Sequence, residues 1–261
     1  MTPSLAMRRL NKCKIRILLI GVTRLVSELC IRNDHNALLV QAEFRNKVSV
    51  DWFNPLYWGR NAVPVTSGGR GGAWFLHIDG GDYVLREYRR GGLTSRVLLR
   101  TYAFAGEDRV RSVMEFRILM TLFAQGFPVP RPVAAYYLKL PALRYRAAII
   151  IERLADTTPL AELIDTRSDA DWHRLGQLVR RFHDANVRHA DLNCFNVLVR
   201  GSEFFLIDFD KGCIMPASKS SRWKNGNLKR FARSIKKIAG EQVLNKVWSA
   251  FEHGYNGSVA A

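Results

Sequence analysis

The chain reads as an α+β protein of two lobes: an antiparallel β-sheet with one helix, followed by a small, mainly helical lobe. Three observations predict this. Short apolar runs broken by glycine dominate from Ala62 to Arg86. One isolated helical pattern, Val110 to Ile118, interrupts that β-rich half. Past residue 153 the apolar residues recur mostly at helical spacing. With 261 residues and a hydrophobic share of 48%, the chain is long enough to bury a real core.

Residues 46–153 form the expected β-rich lobe, preceded by an N-terminal extension and first strand over residues 1–45. Val63-Pro64-Val65-Thr66 leads into the glycine run Ser67-Gly68-Gly69-Arg70-Gly71-Gly72. Trp74-Phe75-Leu76-His77-Ile78 reads as a strand, Asp79-Gly80-Gly81-Asp82 as a hairpin turn and Tyr83-Val84-Leu85-Arg86 as the returning strand. Val110, Val113, Met114 and Ile118 make one apolar helical face. Gly126 stops that helix, and Pro128 and Pro130 prevent its continuation. Ala147-Ala148-Ile149-Ile150-Ile151 reads as a buried strand.

Residues 154–261 form the expected helical lobe. A helix from Trp172 to Ala185 places Leu175, Leu178, Val179 and Phe182 on one face, with Ser168 or Asp169 as its cap. Glu203-Phe204-Phe205-Leu206-Ile207 is a second apolar strand. Leu228, Phe231, Ile235 and Ile238 then sit at helical spacing, with Lys229, Arg230, Arg233, Lys236 and Lys237 on other faces. A last helix carries Val243, Leu244, Val247 and Trp248.

Composition narrows the function classes. Forty Lys and Arg against 23 Asp and Glu give a net charge of +17, which favours anionic partners, nucleic acid or an anionic membrane surface. The most apolar stretch, Ile15 to Val26, contains Arg16 and Arg24 and falls short of the ~20 apolar residues that span a bilayer. Ile17-Leu18-Leu19-Ile20 is too short for a signal peptide and has no clean cleavage site after it. The cysteines, Cys13, Cys30, Cys194 and Cys213, form no CxxC pair. His183 and His189 near Cys194 do not give metal-ligand spacing, so reduced thiols in a cytosolic protein are expected.

The chemistry concentrates in His189-Ala190-Asp191-Leu192-Asn193-Cys194-Phe195-Asn196-Val197-Leu198-Val199. Phosphoryl transfer from ATP to a hydroxyl needs a carboxylate to take the proton, oxygen ligands for Mg²⁺ and a cation for the triphosphate. Asp191 and Asn196 lie five residues apart, and Asp208 follows Asn196 by twelve, at the end of an apolar strand. That layout brings a base, a neutral ligand and an anionic ligand to the ends of a hairpin.

These residues resemble protein kinases. His189 to Asn196 matches the catalytic-loop pattern H-R-D-L-x-x-x-N except at Ala190, and Asp208-Phe209-Asp210 is similar to the D-F-G segment, with Asp210 in place of glycine. The resemblance implies a protein-kinase-like fold with Asp191 as base and Asn196 and Asp208 as Mg²⁺ ligands. A chain lacking the catalytic-loop arginine is not expected to depend on activation-loop phosphorylation. No long activation loop follows Asp210, which points to a small-molecule kinase. Arg86 sits where such kinases carry a phosphate-binding lysine, with Glu115 as its helix partner. Gly69, Arg70 and Gly71 are candidates for a phosphate-covering loop, although their spacing does not fit G-x-G-x-x-G and a glycine-rich turn alone is equally a hairpin.

A closer resemblance runs from about residue 35 to 240. Tyr83-Val84-Leu85-Arg86-Glu87-Tyr88-Arg89-Arg90-Gly91-Gly92 is similar to the V-L-R-x-Y-R-R-G-G segment of bacterial 3-deoxy-D-manno-octulosonic acid (Kdo) kinases. Asp51-Trp52-Phe53-Asn54-Pro55, Tyr57-Trp58, Gly69-Arg70-Gly71, Gly126-Phe127-Pro128-Val129-Pro130-Arg131-Pro132 and His189-Ala190-Asp191-Leu192-Asn193 agree in order. The resemblance, shared with lipopolysaccharide heptose kinases, implies ATP- and Mg²⁺-dependent phosphorylation of the 4-hydroxyl of Kdo on a lipid A precursor, by a peripheral enzyme on the cytoplasmic face of the bacterial inner membrane.

The charge profile fits such an anionic glycolipid. Arg89, Arg90, Arg96 and Arg100 are candidates for gripping acceptor anions. Arg222, Lys224, Lys229, Arg230, Arg233, Lys236 and Lys237 are candidates for a membrane-facing patch with Trp223 at the interface. The competing readings are a heptose kinase, a compact RIO-like atypical protein kinase, and a pseudokinase or basic nucleic-acid-binding protein. Intact Asp191, Asn196 and Asp208 oppose lost activity, and no nucleic-acid motif is present, so no nucleic-acid partner is expected.

Overall fold

The strand and turn signals of the first half resolve into one antiparallel sheet. The structure, a computed structural model, describes residues 14–20, 24–65, 72–89, 101–216 and 221–257. It divides into a first unit, residues 1–125 with 131–153, and a second, residues 126–130 with 154–261.

The first unit holds β1 (Lys14–Ile20), β2 (Arg24–Arg32), β3 (Asn36–Gln41), β4 (Ala62–Pro64), β5 (Ala73–Ile78), β6 (Gly81–Glu87), β7 (Tyr102–Ala103), β8 (Pro132–Leu140) and β9 (Arg144–Glu152). Their spatial order is β1-β2-β3-β8-β9-β6-β5-β4, with β7 on β9. Asp79 and Gly80, both at positive φ (49° and 75°), make the two-residue turn that pairs Ile78 with Gly81. Over residues 1–45, where an extension and a first strand are expected, the structure has three strands among the described residues. β2 and β3 are strands of the main sheet, in register from Glu28↔Gln41 to Arg32↔Ala37, and β3 pairs onward with β8. Ala37-Leu38-Leu39-Val40 is buried on both faces, so it lacks the alternation that marks a half-exposed strand.

A short helix, α1 (Pro55–Trp58), capped by the Asn54 side chain, follows a 3₁₀ turn over Val50–Phe53. Trp52 from that turn is buried, with its ring 5.6 Å from Tyr83 and 5.5 Å from Trp58. The long helix α2 (Arg111–Ala124) packs on β8 and β9. It buries Val113, Phe116, Ile118, Leu119, Met120 and Leu122, a wider arc than expected, while Met114 points outward at 39% exposure. Met114 sits one residue before the buried Glu115, and the charged contact of that glutamate helps set which face turns inward.

The second unit is mainly helical: α3 (Asp169–Asp184), α4 (Arg222–Ala239) and α5 (Glu241–Asn256). Ser168 caps α3 in a reciprocal box, its Oγ accepting from the Asp171 N–H at 3.2 Å and its own N–H donating to Asp171 Oδ2 at 3.1 Å. Trp172, Phe231 and Phe251 are fully buried and bring the three helices onto one core. Five short strands complete the unit: β10 (Thr158–Pro159), β11 (Val187–Arg188), β12 (Val197–Arg200), β13 (Glu203–Leu206) and β14 (Cys213–Ile214). β12 pairs with β10 and β13, and β11 with β14.

α3 and α5 meet backbone to backbone at two glycines. A Cβ on Gly176 would lie 2.1 Å from the Phe251 carbonyl oxygen, and one on Gly254 1.9 Å from that of His173. Only glycine permits this approach, because the obstructing atoms are main chain and have no rotamer to change. Gly254→Ala is therefore expected to lower the stability of the second unit by about 3 kcal/mol. Chemical unfolding followed by tryptophan fluorescence measures it, and an unchanged midpoint contradicts the close approach.

Candidate functional site

The β12–β13 hairpin and the β11–β14 pair of the second unit set the candidate catalytic segment. The loop 189–193 leaves β11, a 3₁₀ turn over Cys194–Asn196 follows, and β12 and β13 carry the chain to Ile207 and Asp208. The Asn193 side chain starts the turn by accepting from the N–H groups of Phe195 (2.9 Å) and Asn196 (3.2 Å). Asn196 Nδ2 donates to the Asp191 carbonyl at 2.9 Å, which commits its nitrogen and leaves Oδ1 as the atom able to ligate a cation. Asn193 Nδ2 donates to the same carbonyl at 3.0 Å.

Ile207 ties the second strand to the loop. Its N–H donates to the Asn196 carbonyl at 3.0 Å, and its carbonyl lies 2.8 Å from His189 Nε2. His189 Nδ1 accepts the Asp191 N–H at 3.2 Å. One ring nitrogen donates and the other accepts, which selects the neutral imidazole with its proton on Nε2. Burial holds the His189 pKa below the usual histidine range, against the opposing pull of the Ile207 carbonyl and of the Asp208 and Asp191 charges. Both carboxylates therefore lie within electrostatic reach of one ring.

Asp208 itself adopts φ 62°, a left-handed conformation that costs a non-glycine residue about 1–3 kcal/mol. The next residue repays part of this. Phe209 is fully buried, 4.7 Å from the His189 ring and 6.0 Å from Phe182, and its carbonyl accepts from Gly212 N–H at 2.7 Å.

Three contacts from α4 reach the loop. Asn227 Nδ2 donates to the His189 carbonyl at 2.6 Å, and Ser234 Oγ accepts the Cys194 N–H at 3.0 Å. Arg230 Nη1 donates to Asp191 Oδ1 at 3.3 Å. None of these roles is read from the motif. The available signal is that Asn227 and Ser234 share the helical face of Phe231 and Ile235, a polar pair on an apolar stripe.

Several residues of the expected membrane-facing patch have partners within the protein. Arg230 stands on Asp191, Lys224 lies 3.6 Å from Asp184, and Lys236 pairs with Glu241 at 2.7 Å. Trp223 is half-buried against His183, at 5.1 Å between ring centroids, because it falls on the packed side of α4. Lys229, Arg233 and Lys237 remain exposed and make no ion pair among the described residues.

In the first unit, Arg86 on β6 meets Glu115 on α2: Nη2 donates to both carboxylate oxygens. The Tyr88 hydroxyl, not foreseen from sequence, donates to Glu115 Oε2. Glu115 is 2% exposed, and the Arg86 guanidinium also lies 5.1 Å from the Tyr88 ring centroid. α2 is fixed at a second point by Arg117, whose Nε and Nη2 grip the buried Glu28 of β2 at 3.1 and 2.8 Å and whose Nη1 donates to Asp108 at 2.6 Å. Gly69, Arg70 and Gly71 lie outside the described residues, as do Arg90, Arg96 and Arg100. Arg89, a candidate for acceptor anions, donates to Glu87 at 3.1 Å in the structure.

Comparison with known proteins adds the family. The model of the lipopolysaccharide kinase (Kdo/WaaP) family matches residues 56–255. A 3-deoxy-D-manno-octulosonic acid kinase of Xylella fastidiosa (strain M12) is 40% identical over 231 residues, covering 87% of this chain and 91% of the relative. The protein of that name from Stenotrophomonas maltophilia (strain K279a) is 44% identical over 215 residues, covering 81% and 84%. The solved structure of WaaP in complex with acyl carrier protein aligns with a TM-score of 0.54 at 17% identity, over 84% of this chain and 88% of that one. At that identity the likeness concerns fold, and the fold is protein-kinase-like.

Burial of neutral histidines makes the second unit acid-sensitive. His183, 2.8 Å from the Tyr255 hydroxyl, is pushed down from 6.5 to about 4, first by burial. The unfolded chain thus binds a proton that the folded chain refuses. Stability is complete above pH 6.5 and falls as pH drops through that value toward 4. His183 alone is expected to cost about 2 kcal/mol between pH 7.5 and 5. Urea titrations at the two pH values measure this, and a smaller difference is expected in His183→Gln.

Proposed function

The chain belongs to the lipopolysaccharide kinase (Kdo/WaaP) family and is a phosphotransferase with an alcohol acceptor, and from this premise we propose that it transfers the γ-phosphoryl group of ATP to the 4-hydroxyl of Kdo on a lipid A precursor. The observation that carries the reading is the catalytic segment itself. Asn196 Nδ2 is bonded to the Asp191 carbonyl at 2.9 Å, and Asp208 directly follows Ile207, whose main chain is bonded to Asn196 and to His189.

Each residue takes a defined role. Asp191 orients the acceptor hydroxyl and accepts its proton as the hydroxyl oxygen bonds to the γ-phosphorus. The bond from that phosphorus to its bridging oxygen breaks, and ADP leaves with the electron pair. Asn196 Oδ1 and the Asp208 carboxylate are hard oxygen donors of the type Mg²⁺ prefers, so they would hold it. The ion, when bound, neutralises charge on the phosphates. Arg86, held by Glu115, is the cation for the triphosphate, and Gly69, Arg70 and Gly71, outside the described residues, are the candidate phosphate-covering loop.

The acceptor places the work at the cytoplasmic face of the inner membrane. No described helix is long and apolar enough to cross a bilayer, so contact is peripheral, through Lys229, Arg233 and Lys237 on α4. Each cation near an anionic surface contributes about 1 kcal/mol. Replacing all three with glutamine is expected to weaken sedimentation with phosphatidylglycerol-containing vesicles by about 100-fold. Unchanged binding removes this stripe from the membrane.

The central test incubates the protein with ATP, Mg²⁺ and Kdo-bearing lipid A precursor and seeks one added phosphate by mass spectrometry. Asp191→Ala is expected to abolish transfer while ATP binding survives, whereas Asp208→Ala raises the Mg²⁺ concentration needed. Substantial turnover in Asp191→Ala would refute its role as base.

A further inference from the structure

Protein kinases carry arginine immediately before the catalytic aspartate, and this chain has Ala190 there. The cation beside Asp191 comes from α4 instead, through the 3.3 Å contact of Arg230 Nη1 with Asp191 Oδ1. The side chains are 46% and 59% exposed. A single long contact between two such exposed groups contributes about 0–1 kcal/mol, so it does not hold the fold.

The position of Arg230 is nevertheless fixed. Asn227, one turn before it, is buried and bonded to the His189 carbonyl, and Ser234, one turn after it, is bonded to the Cys194 N–H. Among the described residues the guanidinium makes no other hydrogen bond or ion pair, which leaves most of its five N–H donors for a ligand. A hydroxyl seated on Asp191 lies within a few ångströms of this fork. A planar guanidinium recognises carboxylate and phosphate in two-pronged fashion.

Two anions could meet it, the carboxylate of the acceptor sugar or an oxygen of the nucleotide. The helix favours the acceptor. Lys229, Arg233 and Lys237 extend along α4 from Arg230, exposed and without ion pairs among the described residues, a basic track suited to a ligand with several anionic groups. Kdo bears its carboxylate on the ring carbon two positions from the one that carries the 4-hydroxyl, so one residue can hold the acid while its neighbour takes the hydroxyl proton.

We propose that Arg230 binds the carboxylate of the acceptor sugar and thereby seats its 4-hydroxyl on Asp191. This rests on the Kdo-kinase reading above. It gives the downstream helix a part in acceptor choice and replaces a loop arginine used for regulation with one used for recognition.

The test is steady-state kinetics of wild type, Arg230→Gln and Arg230→Lys with Kdo-bearing lipid A precursor and with its Kdo carboxyl methyl ester. Arg230→Gln is expected to lose about 10–100-fold in kcat/KM on the native acceptor, the size of a charged hydrogen bond, with KM for ATP unchanged. Arg230→Lys, which keeps the charge, is expected to retain part of the activity. On the methyl ester, wild type and Arg230→Gln are expected to be equally poor, because the variant has no carboxylate contact left to lose. An equal loss on both acceptors would make Arg230 a positioning residue for Asp191 and overturn the proposal, as would a raised KM for ATP. If wild type phosphorylates neither acceptor, the Kdo-kinase reading falls and this inference with it. If wild type is active and Arg230→Gln matches it, the inference alone falls.

Discussion

His189 stands between two main-chain groups that have opposite needs. Its Nε2–H satisfies the Ile207 carbonyl, and its Nδ1 lone pair satisfies the Asp191 N–H. Only a neutral ring does both, and burial at 3% exposure keeps it neutral. A protonated ring would turn a donor against the Asp191 N–H and bury an added charge. Through this one imidazole the loop after β11 and the segment that leads from β13 to Asp208 keep a fixed spacing. The backbone strain at Asp208 is sustained by the same arrangement, since Phe209 is packed on the His189 ring immediately beyond it.

The first unit solves a related problem with charge. Glu115 is buried and would be costly alone, yet it accepts from Arg86 and from Tyr88 and so meets most of its hydrogen-bonding capacity. Arg117 does the same service for Glu28 two residues further along α2, on another side of the helix. Two buried carboxylates with two guanidiniums thus fix both the depth and the rotation of α2. Apolar packing alone tolerates rotation more readily, because it is non-directional.

Much of this is written locally. The β5–β6 hairpin follows from Asp79-Gly80 between apolar runs, α3 from Ser168 and its periodic face, and the candidate catalytic segment from side chains that are close in sequence. The pairing of Arg86 with Glu115 is also readable, because kinase-like order links a strand cation to the next helix. What escapes is long-range or uniformly buried. β3 has no alternation to signal a strand, and the same holds for the first half of β8, where Pro132 to Ala135 are all buried. The contacts of Asn227, Arg230 and Ser234 bridge some forty residues, and on the sequence Arg230 is indistinguishable from its basic neighbours. Helical register against a particular loop, rather than composition, gives it a different task.

The interlocked glycines of α3 and α5 bear on how the chain is made. α3 cannot reach its final packing until α5 has emerged from the ribosome, about eighty residues later, and the loop around Asp191 likewise waits for α4. A nascent chain can close its N-terminal sheet while the candidate site is still unassembled. Synthesis order therefore withholds a complete candidate site from incomplete polypeptides, and a ribosome that stalls before α4 releases a fragment with the motif in its sequence and no brace for it.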